Sequence, residues 1–317
     1  MKTQTAQAPK LGLGSRAGLL RQRIMKSPHL YVMIAPGLIY FILFKYLPMW
    51  GVLIAFKDYL PFRGFWDSPW VGFKHFDRFF HDPVFWLLLK NTFVLAIYNI
   101  VFFFPIPIVI ALMLNELRIE WFKRSIQTAI YIPHFVSWVV VVGMVYTFFS
   151  SEGGIFTNML VDAGLPKLNF LMSNDWFRPM IILEVIWKES GWGTIIFLAA
   201  LSGVDPTLYE AAKIDGASRY RQLWHITLPA IRSTIVILFI LRLGNFLDTG
   251  FEQIFLMLNS TNRQVGEVFD TYVYVNGVQQ GQFSFSTAVG LFKSLVGLCL
   301  VLGANKAAKK LGEQGVY

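Results

Sequence analysis

The chain has 317 residues, 55% of them hydrophobic and 15% charged, with a formal net charge of +9. Soluble domains carry roughly 25% charged residues, so this composition excludes an ordinary soluble globule and points to several membrane spans of about 20 residues each. A single cysteine, Cys299, excludes an intrachain disulfide framework or a thiolate metal cluster and reads as a small apolar residue within a helix.

In chain order, residues 1–29 form a basic tail with Arg16, Arg21, Arg23 and Lys26 ahead of an apolar run. That run, 30–56, has no small-residue cleavage site and reads as an uncleaved anchor; Lys45 and Pro48 predict a tilt, a kink or an end near Lys45. Residues 91–115 and 125–151 carry no charged side chain, and each is long enough to cross roughly 30 Å of hydrocarbon at about 1.5 Å per residue. Three further apolar stretches hold internal charges: 179–203 (Glu184, Lys188, Glu189), 230–250 (Arg232, Arg242, Asp248) and 284–304 (Lys293). Prolines 36, 105 and 107 mark local bends. Runs such as 136–149 are apolar on every face, which excludes the alternation of a transmembrane β-barrel. The expectation is an all-α polytopic membrane protein: six transmembrane helices over 30–305, with tails 1–29 and 306–317.

Lys and Arg in the loops set the orientation. Segments 1–29, 115–125, 202–229 and 303–317 hold 15 of them, against 7 in 57–83, 150–178 and 251–283. Both termini are therefore read as cytoplasmic. The charge is a topology signal that requires no nucleic acid. The Asn-Ser-Thr sequon at Asn259 falls on the outer side, where chance accounts for it.

The cytoplasmic segment 205–229 is the most informative. Asp205-Pro206 provides a cap and a first helical residue, Leu208, Ala211 and Ala212 continue a short helix, and Gly216 ends it. A second short helix, about 218–225, places Tyr220, Leu223 and Trp224 on one side, with Pro229 at the start of the next span. Pattern alone leaves this equally an amphipathic interfacial loop. Glu210-Ala211-Ala212, Gly216 after three residues, and Ile226-Thr227-Leu228-Pro229 after nine more resemble the EAA motif of permease subunits of bacterial binding-protein-dependent ABC importers. The resemblance extends over about 28–305. The runs 44–51, 55–59, 187–193, 198–201, 241–246 and 250–253 are similar to the carbohydrate-uptake branch, and more narrowly to LplB-type polysaccharide and oligosaccharide permeases.

That resemblance implies a type I importer permease fold in which Glu210, Ala211, Ala212, Asp215, Gly216, Ile226, Leu228 and Pro229 form a coupling element docking on a separate ATPase. It implies as partners a second homologous permease, an ATP-binding subunit dimer, an extracytoplasmic sugar-binding lipoprotein on the outer loops, an oligosaccharide and membrane lipid. ATP and Mg would be held by the ATPase, leaving this chain without a cofactor. No Gly-x-x-x-x-Gly-Lys-Ser/Thr loop occurs here, and histidines 29, 75, 81, 134 and 225 have no metal-ligand spacing. Neither Ser190-Gly191 nor Ser202-Gly203 has the flanks of a nucleophile elbow.

Charges in hydrocarbon are costly and usually face protein or water. Arg242, Asn245 and Thr249 recur at helical spacing with Asp248 adjacent, and two roles stay open: hydrogen bonds to substrate, Arg242 meeting a carboxylate on an acidic sugar, or an Arg242–Asp248 pair that holds the bundle. Trp187 and Trp192 are candidates for sugar stacking or gating. Lys188 belongs to the same candidate pathway, although Glu184 and Lys188, four apart, also suit a structural pair or a proton relay. Lys293 either snorkels or meets the partner permease. An ion-coupled secondary sugar carrier would use Glu184, Lys188, Arg242 and Asp248 as its relay, but no internal inverted repeat supports it. A membrane enzyme would need convergent acids or a metal site, which the sequence lacks.

Overall fold

In hydrocarbon a backbone has only itself to bond to, so charge-free stretches of this length become helices. The computed structural model describes residues 27–310 and 312, which places the basic residues Arg16, Arg21, Arg23 and Lys26 of the amino-terminal tail outside the described residues. Among the described residues the chain is all-α, and its only β feature is an isolated antiparallel bridge between Lys57 and Trp70. Helices Pro28–Phe56, Val84–Glu116, Arg219–Gly244 and Phe283–Lys310 are each long and apolar enough to cross a membrane. Two bent pairs, Glu120–Phe135 with Trp138–Phe149 and Asn174–Ser202 with Pro206–Ile214, bring the total to six when each counts as one span.

The chain divides into two units, residues 1–53 and 54–317. In the first, the α-helix Pro28–Phe41 passes into a π turn at Ile42–Tyr46 and then a 3₁₀ helix, Leu47–Phe56. The bend expected near Lys45 takes the form of this change of pitch, ahead of Pro48, whose nitrogen has no hydrogen to donate. None of the α-helical residues is buried, which suits a helix that is apolar all round and meets lipid or another chain.

In the second unit, the second span changes pitch at Asn99–Phe103, a π turn just before Pro105. The third stretch, read from the sequence as one span over 125–151, is instead broken by 100°. Pro133 tightens residues Ile132–Phe135 into a 3₁₀ turn, Val136 is extended, and the Ser137 hydroxyl accepts from the Val140 N–H to start a new helix. The fourth span runs unbroken from Asn174 to Ser202. It packs against Glu120–Tyr131 so closely that a β-carbon on Gly191 would lie 1.9 Å from the Ile130 carbonyl oxygen.

The fifth span also departs from the sequence reading of 230–250. Arg219–Gln222, the π turn Leu223–Thr227 and Leu228–Gly244 form one continuous helix of 26 residues that starts within the loop 205–229 and stops at Gly244. Pro229 does not separate loop from span, because it occupies the first turn of Leu228–Gly244 behind the π turn. The sixth helix continues to Lys310, into the stretch assigned from the sequence to the tail 306–317.

Because lipid is as apolar as leucine, packing and interhelical hydrogen bonds have to hold such spans together. Phe79, Phe85, Leu88, Phe269, Phe285 and Val289 form one apolar cluster. A polar tie joins the second and fourth spans to the segment before the sixth. The Arg178 guanidinium donates to Asn91 Oδ1 at 2.8 Å and to the Val265 carbonyl at 3.2 Å, while Asn91 donates to the Gln264 and Glu267 carbonyls.

Candidate functional site

The loop 205–229 starts at Asp205, whose carboxylate accepts from the Thr207 N–H at 2.9 Å and caps the helix Pro206–Ile214. That hydrogen bond holds the Asp205 carboxyl below its ordinary range, so it is ionised at neutral pH. The helix lies at 68° to the fourth span and carries Glu210 and Ala211 exposed and Ala212 half-buried. It ends at Asp215, where Gly216 has φ +73°, a left-handed geometry natural to glycine, and the Ala217 N–H closes back onto the Ala212 carbonyl at 2.8 Å. Ser218 then caps the helix that becomes the fifth span.

Two contacts tie the loop to the bundle: the Tyr209 and Thr227 hydroxyls meet at 3.0 Å, and Arg219 pairs with Glu116 at 3.7 Å. Ile226 and Leu228 are half-buried, and Pro229 is exposed. Leu208, Ile214, Tyr220 and Trp224 remain exposed, Ile214 at 87%. These apolar side chains are exposed, with Glu210, on an element fixed to the start of a span.

The other end of that span opens on a pocket of about 290 Å³, lined by Arg242, Asn245, Asp248 and Thr249 together with Asn99, Trp138 and Glu189. Arg242, Asn245 and Thr249, expected on one helical face, and the adjacent Asp248 thus share a pocket, but not by helical spacing. The helix has ended at Gly244, Asn245 leaves helical geometry at φ −101° and ψ 25°, and Asp248 and Thr249 lie just past the turn at 245–247. Arg242 does not pair with Asp248. Its guanidinium donates to Asn99 Oδ1 at 3.0 Å and lies 5.8 Å from the Phe103 ring centre, so the π turn of the second span holds it from two sides. Among the described residues it makes no ion pair. Asp248 instead meets Lys293 at 3.5 Å, and Lys293 also pairs with Asp270, so the sixth-span lysine is anchored within this chain.

Glu184 and Lys188 are both buried but do not pair either. Glu184 accepts from Gln253, whereas Lys188 donates to the His134 carbonyl at 2.6 Å and pairs with Glu189 at 3.2 Å. Glu189 also takes His134 Nδ1 at 2.8 Å, and the imidazole stacks on Trp192 at 4.5 Å between ring centres. Trp187 is half-exposed and, like Lys188, lies outside the pocket lining. His134 and Glu189 were not singled out as candidate site residues from the sequence. They stand 55 residues apart, and the break after Phe135 is what brings His134 to the fourth span. The available signal was a Pro-His pair inside an uncharged run facing a Lys-Glu pair inside an apolar one. Cys299 is a free thiol exposed on the sixth helix.

A many-spanned helical chain with an exposed short helix near one end of a span and a pocket lined by charged and polar side chains at the other is built as a transport subunit. Residues 103–311 match the family described as the binding-protein-dependent transport system inner membrane component, and the chain belongs to it. It is 57% identical over the whole of both chains to the polygalacturonan/rhamnogalacturonan transport system permease protein YteP of Bacillus subtilis strain 168. It is also 57% identical to Protein LplB of the same strain, covering 93% of this chain and 92% of the relative, which bears out the LplB-type resemblance. Among solved structures it matches the crystal structure of a bacterial alginate ABC transporter in complex with alginate pentasaccharide-bound periplasmic protein. The TM-score there is 0.85 at 40% identity, over 93% of this chain and 99% of the matched one.

Proposed function

We propose that this chain is one of two permease subunits lining the pathway of an ATP-driven importer for an acidic oligosaccharide. The observation that carries the substrate class is Arg242, a pocket-lining cation held by an amide and a ring, which feels Asp248 and Glu189 across the pocket but forms a salt bridge with no carboxylate of the described residues. A guanidinium fork in a low-dielectric pocket favours a planar carboxylate, the group a uronate supplies. The named substrates of the relatives, polygalacturonan/rhamnogalacturonan and alginate, belong to the same chemical class.

In this reading Glu210, Ala211, Ala212 and Gly216 dock on a partner ATPase, which holds the ATP and Mg. A second permease closes the pathway, and a sugar-binding lipoprotein delivers substrate to the outer loops. Both termini lie in the cytoplasm of a bacterial cell. ATPase closure displaces the loop, and the helix Arg219–Gly244, which starts three residues after Gly216 and bears Arg242 in its last turn, carries the displacement to the pocket over about 39 Å at 1.5 Å per residue.

The test is uptake of labelled trigalacturonate into vesicles holding the assembled transporter. Uptake that requires both internal ATP and the binding protein is expected. Uptake driven by an ion gradient with this chain alone would overturn the reading in favour of a secondary carrier.

A further inference from the structure

Thr249, Gly250 and Gln253 contribute to the pocket lining. Gln253 is fully buried and Thr249 is 5% exposed, yet Gln253 Oε1 and Thr249 Oγ1 have no hydrogen-bond partner among the described residues. Polar atoms buried this way are seldom left unpaired without a reason.

The orientation of the Gln253 amide is fixed. Its nitrogen donates to the Ile181 carbonyl at 2.9 Å and to Glu184 Oε2 at 2.7 Å, which uses both amide hydrogens. Flipping the group would set its oxygen against the Ile181 carbonyl and, with Glu184 ionised, against a second acceptor. Oε1 is therefore held as an acceptor, 3.8 Å from where a β-carbon on Gly250 would stand, on the stretch that lines the pocket.

We propose that Gln253 and Thr249 together read a hydroxyl of the transported sugar, Gln253 Oε1 accepting its hydrogen and Thr249 Oγ1 meeting its oxygen. Glu184 is a positioning residue that acts through the Gln253 amide. This rests on the sugar-permease reading and adds to it a requirement for a hydroxyl donor, separate from the carboxylate met by Arg242. A site built around a buried acceptor rejects an analogue that cannot donate, because the acceptor is then left unpaired.

The assembled transporter is supplied with trigalacturonate and with a set of monofluorinated trigalacturonates, each carrying fluorine in place of one hydroxyl. Uptake by each variant is divided by wild-type uptake of the same sugar, which cancels any preference of the binding protein. Gln253→Leu and the isosteric Thr249→Val should each lower uptake of the parent by about tenfold, and by less than about twofold for the analogue that lacks the hydroxyl being read. Glu184→Gln, which offers its own amide hydrogen to Oε1, should give the same sugar pattern with a smaller loss. Equal losses for every sugar, or none, overturn the proposal and make the trio structural. Absence of ATP-driven trigalacturonate uptake by the wild type overturns the permease reading and this proposal with it, so the two failures are distinguishable.

Discussion

Gly216→Asp is expected to leave the protein in the membrane while lowering co-purification of the ATPase and ATP-driven uptake by about tenfold or more. Gly216 sits at φ +73°, where an L side chain costs on the order of 1–2 kcal/mol, and the residue ends the helix bearing Glu210. No atom outside the neighbouring residues lies within 4 Å of where a β-carbon would go, so the fault is in backbone conformation and the bundle is untouched. The added carboxylate also stands one residue from Asp215, on the loop proposed to dock on the ATPase. Glu210→Lys tests the same face by reversing an exposed charge without altering the turn, and should weaken ATPase retention with a normal fold. Normal co-purification and uptake in both variants would remove the coupling role from this loop.

Arg242→Ala should lower uptake of an acidic trisaccharide by about 10- to 100-fold, the equivalent of roughly 1.5–3 kcal/mol for a hydrogen bond to a charged group. Arg242→Lys keeps the charge and loses the fork, so its uptake should fall between Ala and wild type. A methyl-esterified trisaccharide serves as the control: if the guanidinium meets a carboxylate, the ester is transported poorly by the wild type and is little affected by Arg242→Ala. Equal losses for acid and ester would return Arg242 to the structural role of holding Asn99 and Phe103 across two spans.

The position of the spans was legible because uncharged stretches long enough to cross hydrocarbon have few other uses. The loop at 205–229 was legible because capping and turn residues act locally: Asp205 on Thr207, Ser218 on Arg221, Gly216 by its own φ. The break after Phe135 was not, because hydropathy is blind to backbone direction and Val136–Ser137 look as apolar as a helix there. The end of the fifth span at Gly244 was missed for a related reason, since Asn245, Asp248 and Thr249 kept a helical spacing that the backbone does not follow. Partners of the buried charges were hidden for a third reason. Glu184 and Lys188 suit an i, i+4 pair, yet each finds a better-placed group on another element, Gln253 for one and the His134 carbonyl for the other.

The central claim is that one moving part, the helix Arg219–Gly244, links the loop to the pocket. Asn245 is exposed at its pocket end, and Cys299 is the only native thiol. In a Cys299→Ser background, the rate at which a maleimide labels Asn245→Cys can be compared with ATPase subunits nucleotide-free and trapped with ATP and vanadate. A several-fold change in rate that disappears when Gly216→Asp is added is the expected result. An identical rate in both nucleotide states, in a transporter that still imports sugar, would contradict the claim.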